Sequence, residues 1–399
     1  MIPARGVGAP ALDAAADSVP LSLYIHIPWC LRKCRYCDFA SRARSSALPE
    51  SAYCDALLRD LTEEIDGLAR ARRLTSIFIG GGTPSLFSGP AIDRLLTGVR
   101  GLVELAPDAE VTLEANPGAA DTGRLAAYRA AGVNRLSIGA QSLSATQLRR
   151  LGRAHAPDDV RAAVSAARAA GIANINLDLM YGLPRQTAAE VQADIEAAIA
   201  LSPEHISYYQ LTLEPGTPLY RDRPALPDED FVADHHAVAV HRLAEAGFSQ
   251  YETSAFAQPD RRCRHNSSYW EFGDYLGIGT SAHGKVSFAL PHDVRRRIKH
   301  DDPARYLAAS DDGAFTSAEV RLREEDLVLE FMINALRLAA GFPIHLFQAR
   351  TGLPPSRIAP HLAEARDRGL IEVIDGRVIV PTPLGRSFLD DLLGLFVPG

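Results

Sequence analysis

Apolar and polar residues alternate strictly through Leu21-Ser22-Leu23-Tyr24-Ile25-His26-Ile27, the period of a strand with one apolar face. The period changes over Pro49–Ala71. There Tyr53, Ala56, Leu57, Leu61, Ile65 and Leu68 recur at helical spacing, and Cys54, beside that stripe, reads as a structural thiol. Five more short strands are predicted: Ser76–Ile79, Glu110–Leu113, Arg135–Ile138, Asn174–Leu177 and Ile206–Tyr209. Helices separate them, two ending in the pairs Ala131-Gly132 and Ala170-Gly171 that suit C-terminal caps. Six strand–helix units in alternation predict a parallel sheet with right-handed crossovers.

An open doubly wound sheet and a curved partial barrel both fit that alternation. Polar residues gather at the C-terminal ends of the strands: Gly80-Gly81-Gly82-Thr83-Pro84, Glu114-Ala115-Asn116-Pro117, Gly139-Ala140-Gln141-Ser142 and Asp178. One functional rim fed by several strands is the habit of barrels, so a partial (β/α)6 TIM-like barrel over residues 21–220 is expected. Past Pro215-Gly216 a helix is predicted near Asp228–Ala246. It leads to a polar, aromatic loop ending in His265-Asn266-Ser267-Ser268-Tyr269-Trp270 and to the glycine-rich run Tyr275–Gly284. Residues 221–320 are expected to form a β extension that closes the open side of the barrel.

From Arg321 the pattern is helical, with Leu327, Leu329, Met332, Leu336 and Leu338 on one face. A helix over Pro355–Gly369, a hairpin around the turn pair Asp375-Gly376 and a helix after Pro383 complete a winged-helix-like domain over 321–399. From Pro355 onward it carries five arginines against six acidic residues. A DNA-binding module needs a basic face, so a packing or lid role is expected, with no nucleic acid partner.

Composition narrows the class further. The chain has 399 residues, 47% hydrophobic and 23% charged, with a net charge of −7. That is an ordinary globular protein without the basic field of a nucleic-acid binder. Residues 1–20 hold Asp13 and Asp17 among alanines and prolines and read as a disordered tail, with no signal-peptide block. No apolar run is long enough to cross a bilayer, and the cysteine usage suits a reducing, cytoplasmic setting.

Three of the five cysteines, Cys30, Cys34 and Cys37, fall at C-x3-C-x2-C spacing in the loop after the first strand. Three thiolates suit a [4Fe–4S] cluster with one iron left open for a chelating cofactor. Structural zinc wants four ligands, and Asp38-Phe39-Ala40 supply no fourth cysteine.

The run Tyr24–Cys30, the cysteine triplet, Gly80-Gly81-Gly82-Thr83-Pro84-Ser85 and Asp178-Leu179-Met180-Tyr181-Gly182-Leu183-Pro184 resemble the radical S-adenosylmethionine (SAM) superfamily. Within it the chain is similar to the oxygen-independent coproporphyrinogen III dehydrogenases (HemN) and to their relatives, the HemW heme chaperones. The resemblance implies that the cluster iron chelates the amino acid end of SAM. Gly81 and Gly82 would then let the backbone approach, Thr83 would add a hydroxyl, Glu114 would balance positive charge and Asp178 would bind the ribose. Tyr24, Tyr36, Gln141 and Arg153 carry over as cofactor contacts, and Leu211 as a neighbour of adenine.

Three features favour the chaperone branch. The dehydrogenase pattern extends the triplet by C-x-C, which is absent here. Only 29 residues precede Cys30, fewer than the dehydrogenase has. His265–Trp270 matches the chaperones' H-N-x-x-Y-W. The resemblance therefore implies heme as a further ligand, hemoproteins as acceptors and no coproporphyrinogen III dehydrogenase activity. His265 would be a heme contact, with Tyr269 and Trp270 as flat surfaces. Arg261, Arg262 and Arg264, or the patch Arg295, Arg296, Arg297 and Lys299, would meet propionates, and Cys263 is an alternative thiolate.

Overall fold

The computed structural model describes residues 19–44, 47–68, 71–309 and 313–398. Six strands lie side by side, all parallel and in chain order: β1 (Leu21–Ile27), β2 (Leu74–Gly81), β3 (Leu105–Ala115), β4 (Arg135–Gln141), β5 (Asn174–Tyr181) and β6 (His205–Gln210). A doubly wound sheet reverses its strand order at a switch point; this one does not, and the partial (β/α)6 barrel is the fold. Helices α1 (Glu50–Asp66), α2 (Gly89–Leu102), α3 (Thr122–Ala131), α4 (Ala145–Leu151), α5 (Pro157–Ala169) and α6 (Ala188–Ala200) follow the strands. Polar caps start several of them. Asp121 accepts from Arg124 N at 2.9 Å ahead of α3, and Thr187 with Glu190 forms a capping box on α6.

The alternation in the strands explains the two sides of this sheet. Leu23, Ile25, Ile77, Ile79, Leu113, Leu136, Ile138, Ile175 and Leu177 are buried in one core shared with the helices. Their neighbours in sequence form a polar interior. Ser22 bonds Ser76, Ser137 and Asn176 bond Asp178, and Asn176 bonds His205. Barrel interiors of parallel strands are more often packed with branched apolar residues, so this one is committed to polar work.

The strands run longer than the sequence pattern predicts, because the polar residues at their rims still hold ladder positions. Helix α1 stops at Asp66, with Gly67 as its cap, short of the expected Ala71. The tail expected over residues 1–20 lies outside the described residues except for Val19 and Pro20. Val19 is buried in the C-terminal core, and Pro20 O accepts from Asp274 N at 2.8 Å.

Beyond α7 (Glu229–Glu245), the extension adds strands to both edges. β7 (Ser249–Glu252) and β8 (Ala255–Ala257) continue from β6. On the other edge β9 (Asp274–Ile278) pairs parallel with β1, and β10 (His283–Ala289), β11 (Asp293–Lys299) and β12 (Thr316–Arg321) follow antiparallel. The polar, aromatic passage expected as a loop is a helix, α8 (Arg264–Trp270). It sits beneath the N-terminal ends of the barrel strands, where Glu110 accepts from both Arg264 N and His265 N.

Helix α9 (Glu324–Ala335) begins at Glu324 rather than Arg321, because Thr316–Arg321 is held as a strand on β11. With α10 (Ile344–Thr351) and α11 (Ala359–Asp367) it packs on a three-stranded sheet of β13 (Phe342–Pro343), β14 (Ile371–Ile374) and β15 (Val378–Pro381). Asp375 and Gly376 turn the β14–β15 hairpin with φ of 51° and 64°, as a type I′ turn requires. This second core takes in Phe272, Leu290 and Val294 of the extension, so the C-terminal unit is seated on the extension strands.

Candidate cofactor site

A cavity of about 380 Å³ opens at the C-terminal rim of the barrel. Cys30, Cys34 and Cys37 all line it, together with Tyr36, Gly81, Gly82, Thr83, Glu114, Gln141, Arg153, Asp178 and Leu211. Residues up to 181 apart in sequence, from Cys30 to Leu211 just past β6, are thus joined because parallel strands deliver every C-terminus to one rim. The cysteine loop is pinned at both sides. Cys30 pairs with Ala43 in a short parallel bridge, Arg35 N donates to Leu151 O at 3.1 Å, and Cys37 N donates to Cys34 O at 3.3 Å.

The glycines are required by space. Gly81 has φ of +115°, and a Cβ there would stand 2.7 Å from the His26 ring. A Cβ on Gly82 would meet Trp29 O at 2.6 Å, and one on Gly80 would press the Glu114 carboxyl at 3.2 Å. Any side chain would therefore push the rim apart. Gly82 N and Thr83 N are spent on Ile27 O and Trp29 O, both at 2.8 Å, which leaves Gly81 N to donate to Glu114 Oε2 at 3.1 Å.

Acidic and basic groups face each other across the cavity. Glu114 sits deep in the barrel while lining the cavity. Burial, reinforced by Asp178 and opposed by the Gly81 amide, lifts its carboxyl to about 8. Burial also raises Asp178, against the hydrogen bonds from Asn176 and Ser137. Arg153 donates to Gly139 O at 2.5 Å and to Cys34 Sγ at 3.5 Å, while its buried Nε has no hydrogen-bond partner among the described residues. Gln141, at φ of 66°, accepts from Tyr209 OH at 2.8 Å. Sequence reasoning missed Tyr209, although its place at the end of β6, in phase with Ser207, signals an inward side chain.

The cavity fits the cofactors that the sequence implied. Among the described residues no three thiol, imidazole or carboxylate groups converge on a single metal ion; a cube-shaped cluster instead asks for thiolates spaced around it, one per iron. Beside the cysteines, the carboxyls of Glu114 and Asp178, in no ion pair among the described residues, suit positive charge and hydroxyls on a ligand, while the spare Arg153 Nε–H suits an acceptor such as a carboxylate and the glycines bare the backbone.

Other predicted residues lie elsewhere. Tyr24 is on β1 within the polar interior and does not line this cavity; its OH donates to His26 Nδ1 at 2.9 Å, while His26 Nε2–H donates to Ala40 O. His265 is buried at the opposite end of the barrel. Its Nδ1 meets Ser76 Oγ at 3.0 Å and its Nε2 meets Tyr269 OH at 2.8 Å, so both ring nitrogens are occupied. Burial and then Arg135 lower it to about 3. Cys263 is buried beside Glu110, with its thiol raised to about 12 by burial; it is a neutral thiol, not an available thiolate.

Arg264 and the whole of the second basic patch are already matched. Arg264 pairs with Asp108 at 2.6 Å and Arg296 with Glu330 at 2.6 Å. Arg295 pairs with Asp293 and Glu319, Arg297 with Glu64 and Glu319, and Lys299 with Asp60 and Glu64. These charges join strands and helices to one another, whereas Arg261 and Arg262 are exposed, Arg262 with its guanidinium 5.5 Å from the centre of the Tyr251 ring.

A partial barrel with C-x3-C-x2-C at its rim is the architecture of the radical SAM superfamily, and the model of that superfamily matches residues 24–198. The HemN C-terminal domain model matches residues 322–388. The chain is 46% identical over 379 residues to heme chaperone HemW of Escherichia coli K12, covering 95% of this chain and 98% of that protein. HemW of Haemophilus influenzae is 43% identical over 382 residues, at 95% and 98% coverage. The bovine mitochondrial radical S-adenosyl methionine domain-containing protein 1 is 38% identical, at 98% and 90% coverage. The chain belongs to the HemW family of radical SAM proteins. Its fold matches the solved structure of coproporphyrinogen III oxidase (HemN) from E. coli with a TM-score of 0.79 at 23% identity, covering 96% of this chain and 91% of that one. Among the described residues no helix is long and apolar enough to cross a membrane.

Proposed function

We propose that this chain is a cytoplasmic heme chaperone that holds a [4Fe–4S] cluster and SAM at the barrel rim, binds heme and passes it to hemoproteins. The observation that carries this reading is identity of up to 46% over nearly the whole length with proteins named as heme chaperones. In it Cys30, Cys34 and Cys37 each ligate one iron. Glu114 faces the positive charge of SAM, Gly81 and Gly82 admit its amino acid end, and Thr83 adds a hydroxyl. Asp178 takes the ribose, Arg153 and Gln141 orient the polar end, and Tyr36 and Leu211 offer apolar surface to the adenine. When bound, reduced cluster and SAM together supply one-electron chemistry at the sulfonium; the protein's part is to orient the cofactor and exclude water.

The test is a pair of measurements on purified protein with its cluster reconstituted. Anaerobic incubation with coproporphyrinogen III, SAM and a reductant is expected to release no carbon dioxide. Heme titration followed by mixing with an apo-hemoprotein is expected to give stoichiometric binding and transfer. Decarboxylation at the rate of a working enzyme would establish the rival dehydrogenase reading, and a protein that binds no heme cannot be a heme chaperone.

A further inference from the structure

A directed series of hydrogen bonds runs through the barrel interior and ends on a residue of the rim cavity. Strand register sets it up. Asn176 and Asp178 stand two apart on β5 and share its inward face, and His205 on β6 is the register partner of Asn176. Tyr251 reaches in from β7. Asn176, His205 and Tyr251 are all buried, and of these side chains Asp178 alone lines the cavity.

The hydrogen bonds share one polarity. Asn176 Nδ2 donates to Asp178 Oδ1 and to Ser137 Oγ, both at 2.7 Å. Asn176 Oδ1 is then an acceptor, and it takes His205 Nδ1–H at 2.6 Å and Ser207 Oγ–H at 3.1 Å. With the proton on Nδ1, His205 Nε2 receives Tyr251 O–H at 2.9 Å. The Tyr251 oxygen in turn accepts from Cys263 N at 3.3 Å. Burial and then Arg135 keep His205 neutral, so it has one N–H to give, and Tyr251 decides which. Reversing the Asn176 amide would set its oxygen against the Asp178 carboxylate. Reversing the imidazole would set a lone pair against Asn176 Oδ1.

We propose that Asn176 and His205 are positioning residues of the cofactor site, fixing the orientation of the Asp178 carboxylate toward the ribose hydroxyls of SAM. The inference rests on the reading of Asp178 as the ribose contact and extends it to residues that touch no ligand. Hydroxyls bond most strongly to an ionised carboxylate, and the bond from Asn176 favours that charge against burial. A side chain already held in place also loses less rotamer freedom when the ligand arrives. Burying such polar groups costs desolvation that apolar residues would avoid, and the single polarity of the series gives that burial a use.

Isothermal titration of the cluster-loaded protein with SAM and with its 2′,3′-dideoxyribose analogue tests this. Wild type should favour SAM by roughly tenfold or more. His205→Phe keeps a ring of similar size without its nitrogens, and should lose most of that preference while binding the dideoxy analogue as wild type does. His205→Asn returns an amide N–H near the Nδ1 position and should recover much of the preference. A purely structural role would weaken both ligands alike, and that outcome overturns the proposal, as does an unchanged preference in His205→Phe. Should His205→Phe misfold, Tyr251→Phe removes a single hydroxyl and should narrow the preference by roughly threefold; no change there overturns the proposal. A wild-type protein that binds no SAM refutes the cofactor reading itself, and Asp178→Asn with the preference intact refutes the ribose assignment on which the proposal stands.

Discussion

Replacing Glu114 by glutamine keeps the size of the side chain and its acceptor for Gly81 N, but removes its charge. The wild-type carboxyl is raised to about 8 by burial and by Asp178, so at pH 7 only about one site in ten is ionised before ligand arrives. A cationic ligand beside it favours the carboxylate, and binding must then expel the proton. Wild type should release about 0.9 proton more than Glu114→Gln on binding SAM at pH 7, and only about 0.1 more at pH 9. Between pH 6 and pH 8 the ionised fraction grows about 50-fold, so SAM affinity should rise with pH in wild type by more than in the variant. Isothermal titration of the cluster-loaded protein in buffers of different ionisation enthalpy counts the protons directly. The amino group of SAM can shed a proton of its own, so the difference between the two proteins is the relevant quantity. Equal proton release from wild type and variant at pH 7 would refute the pairing of Glu114 with the positive charge of SAM.

Alanine at Cys30, Cys34 or Cys37 should each reduce iron content and the visible absorbance of the reconstituted protein to background, whereas serine at Cys54, buried against Ala91, should leave both intact. Gly81→Ala forces a side chain into φ of +115° and against His26. It should cost about 1–3 kcal/mol, read as a lower Tm, and should weaken SAM binding. Asp274→Asn removes the carboxylate that Lys285 and Arg72 share at 2.9 and 2.8 Å in full burial. Stranding two buried cations should cost about 3–5 kcal/mol, measured by chemical denaturation. Burial opposes ionisation of Asp274, yet Lys285 and Arg72 hold its carboxyl below the usual range. Its contribution is therefore complete above the ordinary aspartate value, about 3.9, and lost as pH falls through the lower folded value. An acid titration of stability should show wild type converging on the variant only below about pH 4.

The cysteine triplet, the glycine run and the strand-end carboxylates were legible in the chain because each is local: spacing along one loop or position at one strand end. The fate of His265 was not. Its motif is polar and aromatic, a composition shared by exposed loops and by helices buried in a polar interior. Only the approach of Ser76, Glu110 and Tyr269 makes it the latter. The patch Arg295, Arg296, Arg297 and Lys299 misled for a related reason, since its partners Glu64, Glu319 and Glu330 come from other elements. Tyr24 reads as a cofactor contact from its motif, yet it stands three residues before the end of β1, with its ring beside those of Phe78 and His265.

Period along the chain by itself predicted the six parallel strands, spacing singled out the cysteine loop, and the resemblance of whole motifs pointed to the family. Hydrophobic alternation selects the strand, and thiolate spacing along one loop limits what the thiolates can hold. Tertiary structure alone decided which charges are spent on one another and that both ring nitrogens of His265 are occupied. Both depend on contacts that only the packing of separate elements creates, and a buried pair such as Lys299 with Asp60 has the same local sequence signature as two free surface charges.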